Sequence, residues 1–181
     1  MPVTRILVLY GIVAGLIAGI PVDWLVLGRT PRWASGNMML YTYLAMIVAL
    51  TAVFLGIKHY RDKALGGVIR FVPALLVGLG ISVVASLIYA PCWETSLALT
   101  GVDFAGSYAK QMVAAAQAQG ASPAELQKAI AEADAFAKSY ANPLYRIPVT
   151  FLEMFPVGVL ISLISAGLLR NPRVLPARVP T

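Results

Sequence analysis

The sequence predicts an all-α fold: a polytopic membrane four-helix bundle with an extramembrane helical hairpin between spans three and four. Three observations predict it. Four apolar stretches, 6–27, 38–57, 71–90 and 147–169, each reach the ~20 residues that a hydrocarbon core of ~30 Å requires. The chain of 181 residues is 59% hydrophobic and 12% charged, well below the roughly 25% charged residues of an ordinary soluble domain. A single long polar stretch, 92–146, interrupts the pattern.

The first apolar stretch outruns the h-region of a signal peptide, and no small-x-small site leads into a polar mature chain, so it reads as a retained helix. Gly11, Gly15 and Gly19 recur every fourth residue and fall on one face. Small residues at this spacing let helix backbones approach closely in lipid. They would serve either a homodimer or, on the plainer and preferred reading, contact within the bundle, such as span one on span four. Span two ends at Ile57 and is followed by Lys58-His59-Tyr60-Arg61. The lone histidine, His59, reads as a solvated loop residue between basic flanks. Span three closes at Ala90, before Pro91 and the single cysteine, Cys92, which has no partner for an intramolecular disulfide.

The 92–146 insert has helical logic of its own. Ser122-Pro123-Ala124-Glu125 is a capping box with proline at the first helical position. Leu126, Ile130, Ala133, Ala137 and Tyr140 then repeat at the spacing of a helix laid on a partner. Asn142-Pro143 ends that helix, because the residue before proline disfavours αR. Phe104, Tyr108, Met112 and Ala115 form a second stripe, and Gly120 breaks the chain between the two. Span four carries Gly158, Ser162 and Ala166 as a small-residue face. Pro73 and Pro148 fall near span starts, where a missing N–H costs little. Pro156 lies deeper and should kink the helix or free the carbonyl of Leu152. The tail 170–181 reads as an unstructured cytoplasmic extension.

The net charge of +6 is explained by basic residues flanking spans, with no basic face interleaved with aromatics to suggest a nucleic-acid partner. Arg5, Lys58, Arg61, Lys63, Arg70, Arg170, Arg173 and Arg178 share one side, opposed there by Asp62 alone. The positive-inside rule then puts both termini in the cytoplasm and the insert outside, with Arg29 and Arg32 in the first loop as the counter-indication. Trp24, Trp33, Tyr41, Tyr89 and Trp93 fall near span ends, as interfacial aromatics do.

Catalytic motifs are absent. There is no glycine-rich phosphate loop, no His-Glu-x-x-His and no Gly-x-Ser-x-Gly. One histidine and one cysteine leave no expected metal site, and no cofactor is expected. Carboxylate chemistry remains open. Glu153 lies about two turns into the fourth apolar stretch, where an ionised acid should face the interior, be paired or be protonated. Glu94 and Asp23 lie near the outer ends of spans three and one. With Arg146, Tyr89 and Trp93 they outline an outward-facing polar pocket under the hairpin, with Glu153 and Glu94 as cation, proton or substrate ligands. The plainer alternative is a structural cluster, with Glu153 paired to Arg146 or to Tyr and Thr hydroxyls and Asp23 merely interfacial.

The segments Tyr10-Gly11-Ile12-Val13-Ala14-Gly15-Leu16, Gly56-Ile57-Lys58-His59-Tyr60-Arg61-Asp62-Lys63, Trp93-Glu94 and Phe151-Leu152-Glu153-Met154-Phe155-Pro156-Val157-Gly158 resemble a bacterial family of four-span inner-membrane proteins catalogued as a domain of unknown function. The resemblance covers nearly the whole chain. It implies a location in the bacterial inner membrane and the four-span plan, and it carries no catalytic residues. The expected function is a non-enzymatic component binding a small ligand, membrane lipid or partner protein at its outer face. Two alternatives are a small transporter or channel subunit using Glu153, and a lipid-active enzyme using Glu94 and Glu153 as acid and base.

Overall fold

The computed structural model describes residues 2–26 and 38–177, with side chains between 20 and 42 described only at Leu40. The described residues form six helices and no strand: α1 (Val3–Val26), α2 (Met38–Ala64), α3 (Phe71–Thr100), α4 (Phe104–Ala118), α5 (Pro123–Tyr140) and α6 (Pro143–Leu169). Three segments, Tyr43–Ala64, Phe71–Thr100 and Pro143–Leu169, are long and apolar enough to cross a membrane. In their most apolar windows only 39%, 39% and 22% of residues are buried. Most of that apolar surface has no protein cover, far beyond the scattered apolar residues a soluble surface carries. In α1 the segment Val3–Gly19 is apolar as well.

Helix α3 is the hub. It packs on α1, α6 and α2, and α2 in turn touches both α1 and α6. Small residues make the close approaches. A Cβ added at Gly11, Gly15 or Gly19 would lie 2.5, 2.6 and 2.7 Å from Val84, Ile88 and Cys92 of α3. The glycine face of α1 is therefore occupied by α3, not by span four, and a second copy of the chain could use it only by displacing α3. The face of α6 meets α3 in the same way: Gly78 lies under Ser162, and Gly158 under Ser82. The Ser82 and Ser162 hydroxyls stand 3.3 Å apart, each also donating to its own helix at Gly78 O (2.9 Å) and Gly158 O (2.7 Å). No buried hydroxyl is left unsatisfied there, as a dry interior requires.

The helices run beyond the apolar spans drawn from the sequence. Helix α3 does not stop before Pro91; it runs on to Thr100 and ends at Gly101 with φ 62°. Contacts made by Trp93 and Glu94 with α5 and α6 hold this extension, and tertiary contact outweighs the carbonyl that Pro91 leaves without its helical donor. Helix α2 continues to Ala64, so His59 is helical, half-buried and 3.1 Å from the Tyr10 hydroxyl, not a solvated loop residue. Pro148 and Pro156 both sit inside a continuous α6, Pro148 beyond its first turn.

The chain after Leu169 is not featureless. Arg61 is fully buried and donates to the carbonyls of Leu169 (3.5 Å), Val174 (2.9 Å) and Leu175 (2.5 Å). A Cβ at Gly67 would lie 3.1 Å from Ala177. The start of the tail is thus folded against the α2–α3 turn, and the end of α2, the start of α3 and the end of α6 share one end of the bundle.

Candidate functional site

The opposite end of α3 and α6 builds the candidate site. Asn142 caps α6 by accepting from Leu144 N at 3.0 Å, and Pro143 opens the helix at its first position. That start fixes Arg146 in the first turn, facing α3. Its Nε donates to Glu94 Oε1 at 2.6 Å and its Nη2 to Glu94 Oε2 at 2.5 Å. The fork-on-fork arrangement is the strong, directional form of a charged pair. Nη1 donates to the Tyr140 carbonyl at 3.0 Å, which ties the last residue of α5 to the first turn of α6. Both partners are largely covered, with 15% of the Arg146 side chain and 22% of the Glu94 side chain exposed.

An aromatic cluster lies beside this pair, with the Tyr140 ring 5.7 Å from the Arg146 guanidinium carbon. Trp93 is buried and donates its indole N–H to the Tyr140 hydroxyl at 2.8 Å. Phe104, at the start of α4, meets Trp93 edge-on at 5.1 Å and Tyr140 at 5.5 Å. Tyr108 and Phe136 continue the cluster at 5.1 Å from each other and join α4 to α5. Burial raises the Tyr140 hydroxyl pKa above its ordinary value, and the charge of Glu153 adds to this. The Tyr140 hydroxyl is therefore held in its neutral, hydrogen-bonding form.

Between these elements opens a cleft of ≈ 530 Å³. Its polar lining is Glu94, Arg146 and Asp103, and its walls include Phe104, Tyr140 and Leu97. Asp103 caps α4 by accepting from Gly106 N at 2.8 Å.

Of the candidates named from sequence, Glu94, Arg146 and Trp93 converge here. Tyr89 is buried in the core below them. Glu153 is exposed on the flank of α6, and among the described residues no basic side chain pairs with it. The Glu153–Arg146 pair, one option of the plainer alternative, is not formed: Arg146 is taken by Glu94. The Asp23 side chain lies outside the described residues. Asp103, Phe104 and Tyr140 belong to the site without having been named for it. Phe104 and Tyr140 appeared only as stripe residues, and their convergence depends on how the hairpin docks. The stripes themselves shift: Ala133 and Tyr140 are buried on α5, whereas Ile130 and, on α4, Ala115 are exposed and Phe136 packs inward.

The family model described as "Protein of unknown function (DUF4199)" matches residues 9–171. No curated protein and no solved structure matches the chain.

Proposed function

We propose, for a chain that belongs to the DUF4199 family of unknown function, that it is a multi-pass protein of the bacterial inner membrane that binds a ligand at its outer face without catalysis. In this reading α1, α2, α3 and α6 are four spans, the α4–α5 hairpin stands outside, and both termini are cytoplasmic. Lys58, Arg61, Lys63 and Arg70 cluster where α2 ends and α3 begins, beside the tail with Arg170 and Arg173, which supports that orientation by the positive-inside rule.

The observation that carries the binding reading is the cleft at the other end. It combines a wall about half apolar, with the Phe104 and Tyr140 rings in it, with three convergent charged groups, Glu94, Arg146 and Asp103, an anatomy suited to a ligand with a polar head. Both Glu94 oxygens are held by Arg146, which favours binding over proton transfer. Thermal unfolding in mild detergent tests it. A bacterial polar lipid extract should raise the midpoint of the wild type, and should do so much less for Ala98→Trp, which fills the cleft from an exposed position on its lining. A ligand at about 100 times its Kd adds roughly 2.7 kcal/mol, and each kcal/mol moves the midpoint of a chain this size by about 2–4 °C. Equal stabilisation of both proteins would remove the cleft as a binding site.

A second reading, a transporter or channel subunit, rests on Glu153 alone. An exposed acid inside an apolar helix is costly in lipid, and a neighbouring subunit would have to cover it.

A further inference from the structure

The depth of the cleft and its charge select a ligand class. At 1.5 Å per residue, Glu94 stands roughly 34 Å along α3 from Phe71, and Arg146 stands roughly 34 Å along α6 from Leu169. Phe71 and Leu169 lie at the same end of the bundle. With a hydrocarbon core of ~30 Å starting there, the ion pair sits just above it, among the lipid headgroups. On the core side of the pair the helix surfaces turn apolar: Leu87 on α3 is 57% exposed and Leu152 on α6 60%. Such residues are stable against acyl chains and not against water.

The charged lining comprises one cation, Arg146, and two carboxylates, Glu94 and Asp103. An anionic headgroup would meet a net negative site. A headgroup carrying both signs can instead exchange partners with the existing pair. We propose that the cleft holds the phosphoethanolamine headgroup of an aminophospholipid from the outer leaflet. The phosphate accepts from the Arg146 guanidinium, a planar donor suited to it. The ammonium donates to Glu94 and Asp103 and lies against the Phe104 and Tyr140 rings, which attract cations. Each new contact replaces half of the Glu94–Arg146 pair, so neither buried charge is left without a counter-charge. This inference rests on the cleft being the binding site proposed above.

Native mass spectrometry of the detergent-solubilised protein tests it, using palmitoyl-oleoyl phosphatidylethanolamine, the matching phosphatidylglycerol and soluble phosphoethanolamine. The wild type should retain the ethanolamine lipid over the glycerol lipid by about five- to tenfold, as expected for one or two partly screened charge contacts. Asp103→Asn keeps the α4 cap, because asparagine also accepts from the backbone, and should bring the preference down toward unity. Ala98→Trp should lose the retained lipid with all charges in place. Soluble phosphoethanolamine should fail to displace the lipid, since it lacks the chains that the apolar flank receives. Equal retention of the two lipids, an unchanged preference in Asp103→Asn, or displacement by the soluble headgroup would each overturn the assignment. The two readings fail separately. Lipid retained through the cleft without a headgroup preference defeats only the ethanolamine assignment, whereas retention unaffected by Ala98→Trp defeats the cleft itself.

Discussion

Arg61 has no exposed surface, and its guanidinium is engaged on every side. It bonds Asp62 at 2.7 Å and the carbonyls of Leu169, Val174 and Leu175. Three of the four partners are backbone groups at or beyond the end of α6, where helical carbonyls lack their own donors. Arg61→Ala should therefore release the tail and lower stability by about 2–4 kcal/mol, the cost of leaving a buried polar network incomplete. Limited proteolysis followed by mass measurement would show it as cleavage within 171–177; a tail as resistant as in the wild type would deny the latch. Glu153 makes the opposite case. With Arg146 committed to Glu94, Glu153→Gln should leave the detergent midpoint within about 0.5 kcal/mol of the wild type. A large loss would reveal a partner for Glu153 beyond the described side chains. From sequence alone Arg61 read as one flanking charge among many, and Glu153 read equally well as a site acid or as a structural or interfacial one. Hydropathy reports how far along a span a residue lies, not which direction its side chain faces.

At the scale of elements, capping signals were the most legible. The Ser122–Glu125 box forms as spelled, with Ser122 N donating to Glu125 Oε2 at 2.8 Å and Glu125 N donating to the Ser122 hydroxyl at 3.4 Å. These bonds, the backbone one first, hold the Glu125 pKa below its ordinary value. A depressed folded pKa means the carboxylate contributes stability that is fully present above the unfolded value, and that is lost as pH falls through the folded one. The midpoint difference between wild type and Glu125→Gln should thus be constant at neutral pH and shrink progressively as pH falls below the ordinary glutamate value of about 4.3. A difference that grows on acidification would contradict the box. The hairpin stripes were legible to within a residue, because Ala-rich helices leave the apolar face broad. Leu126→Asp, on the inward side, should expose the insert to protease, and Lys128→Asp, whose partner Glu132 is only a solvated contact at 3.8 Å, should not. Equal sensitivity of the two variants would show that α5 does not pack through this face. The end of α3 was not legible. Proline after an apolar run is a stop signal in isolation, and only the docking of Trp93 and Glu94 on other helices carries the helix past it.

For the whole molecule, orientation is the testable property. A reporter fused after Arg170 should be active only as a cytoplasmic fusion, and one inserted at Gly120 only as an exported one. The reverse pattern would invert the molecule and place the cleft inside the cell. The sequence by itself determined that the chain is helical, that long apolar segments dominate it, and that a capped polar insert divides two of them. Those properties follow from composition, periodicity and local capping, which act within a few turns of chain. The tertiary structure decided which small-residue faces meet, that Arg146 takes Glu94 rather than Glu153, and that the Tyr140 ring lies beside that pair with Phe104 against it. Each of those choices joins residues tens of positions apart, and many pairings of that kind satisfy the same hydrophobic pattern. Close packing selects among them: this arrangement seats Gly78 under Ser162 and Gly158 under Ser82 while leaving no described buried side-chain polar atom without a partner.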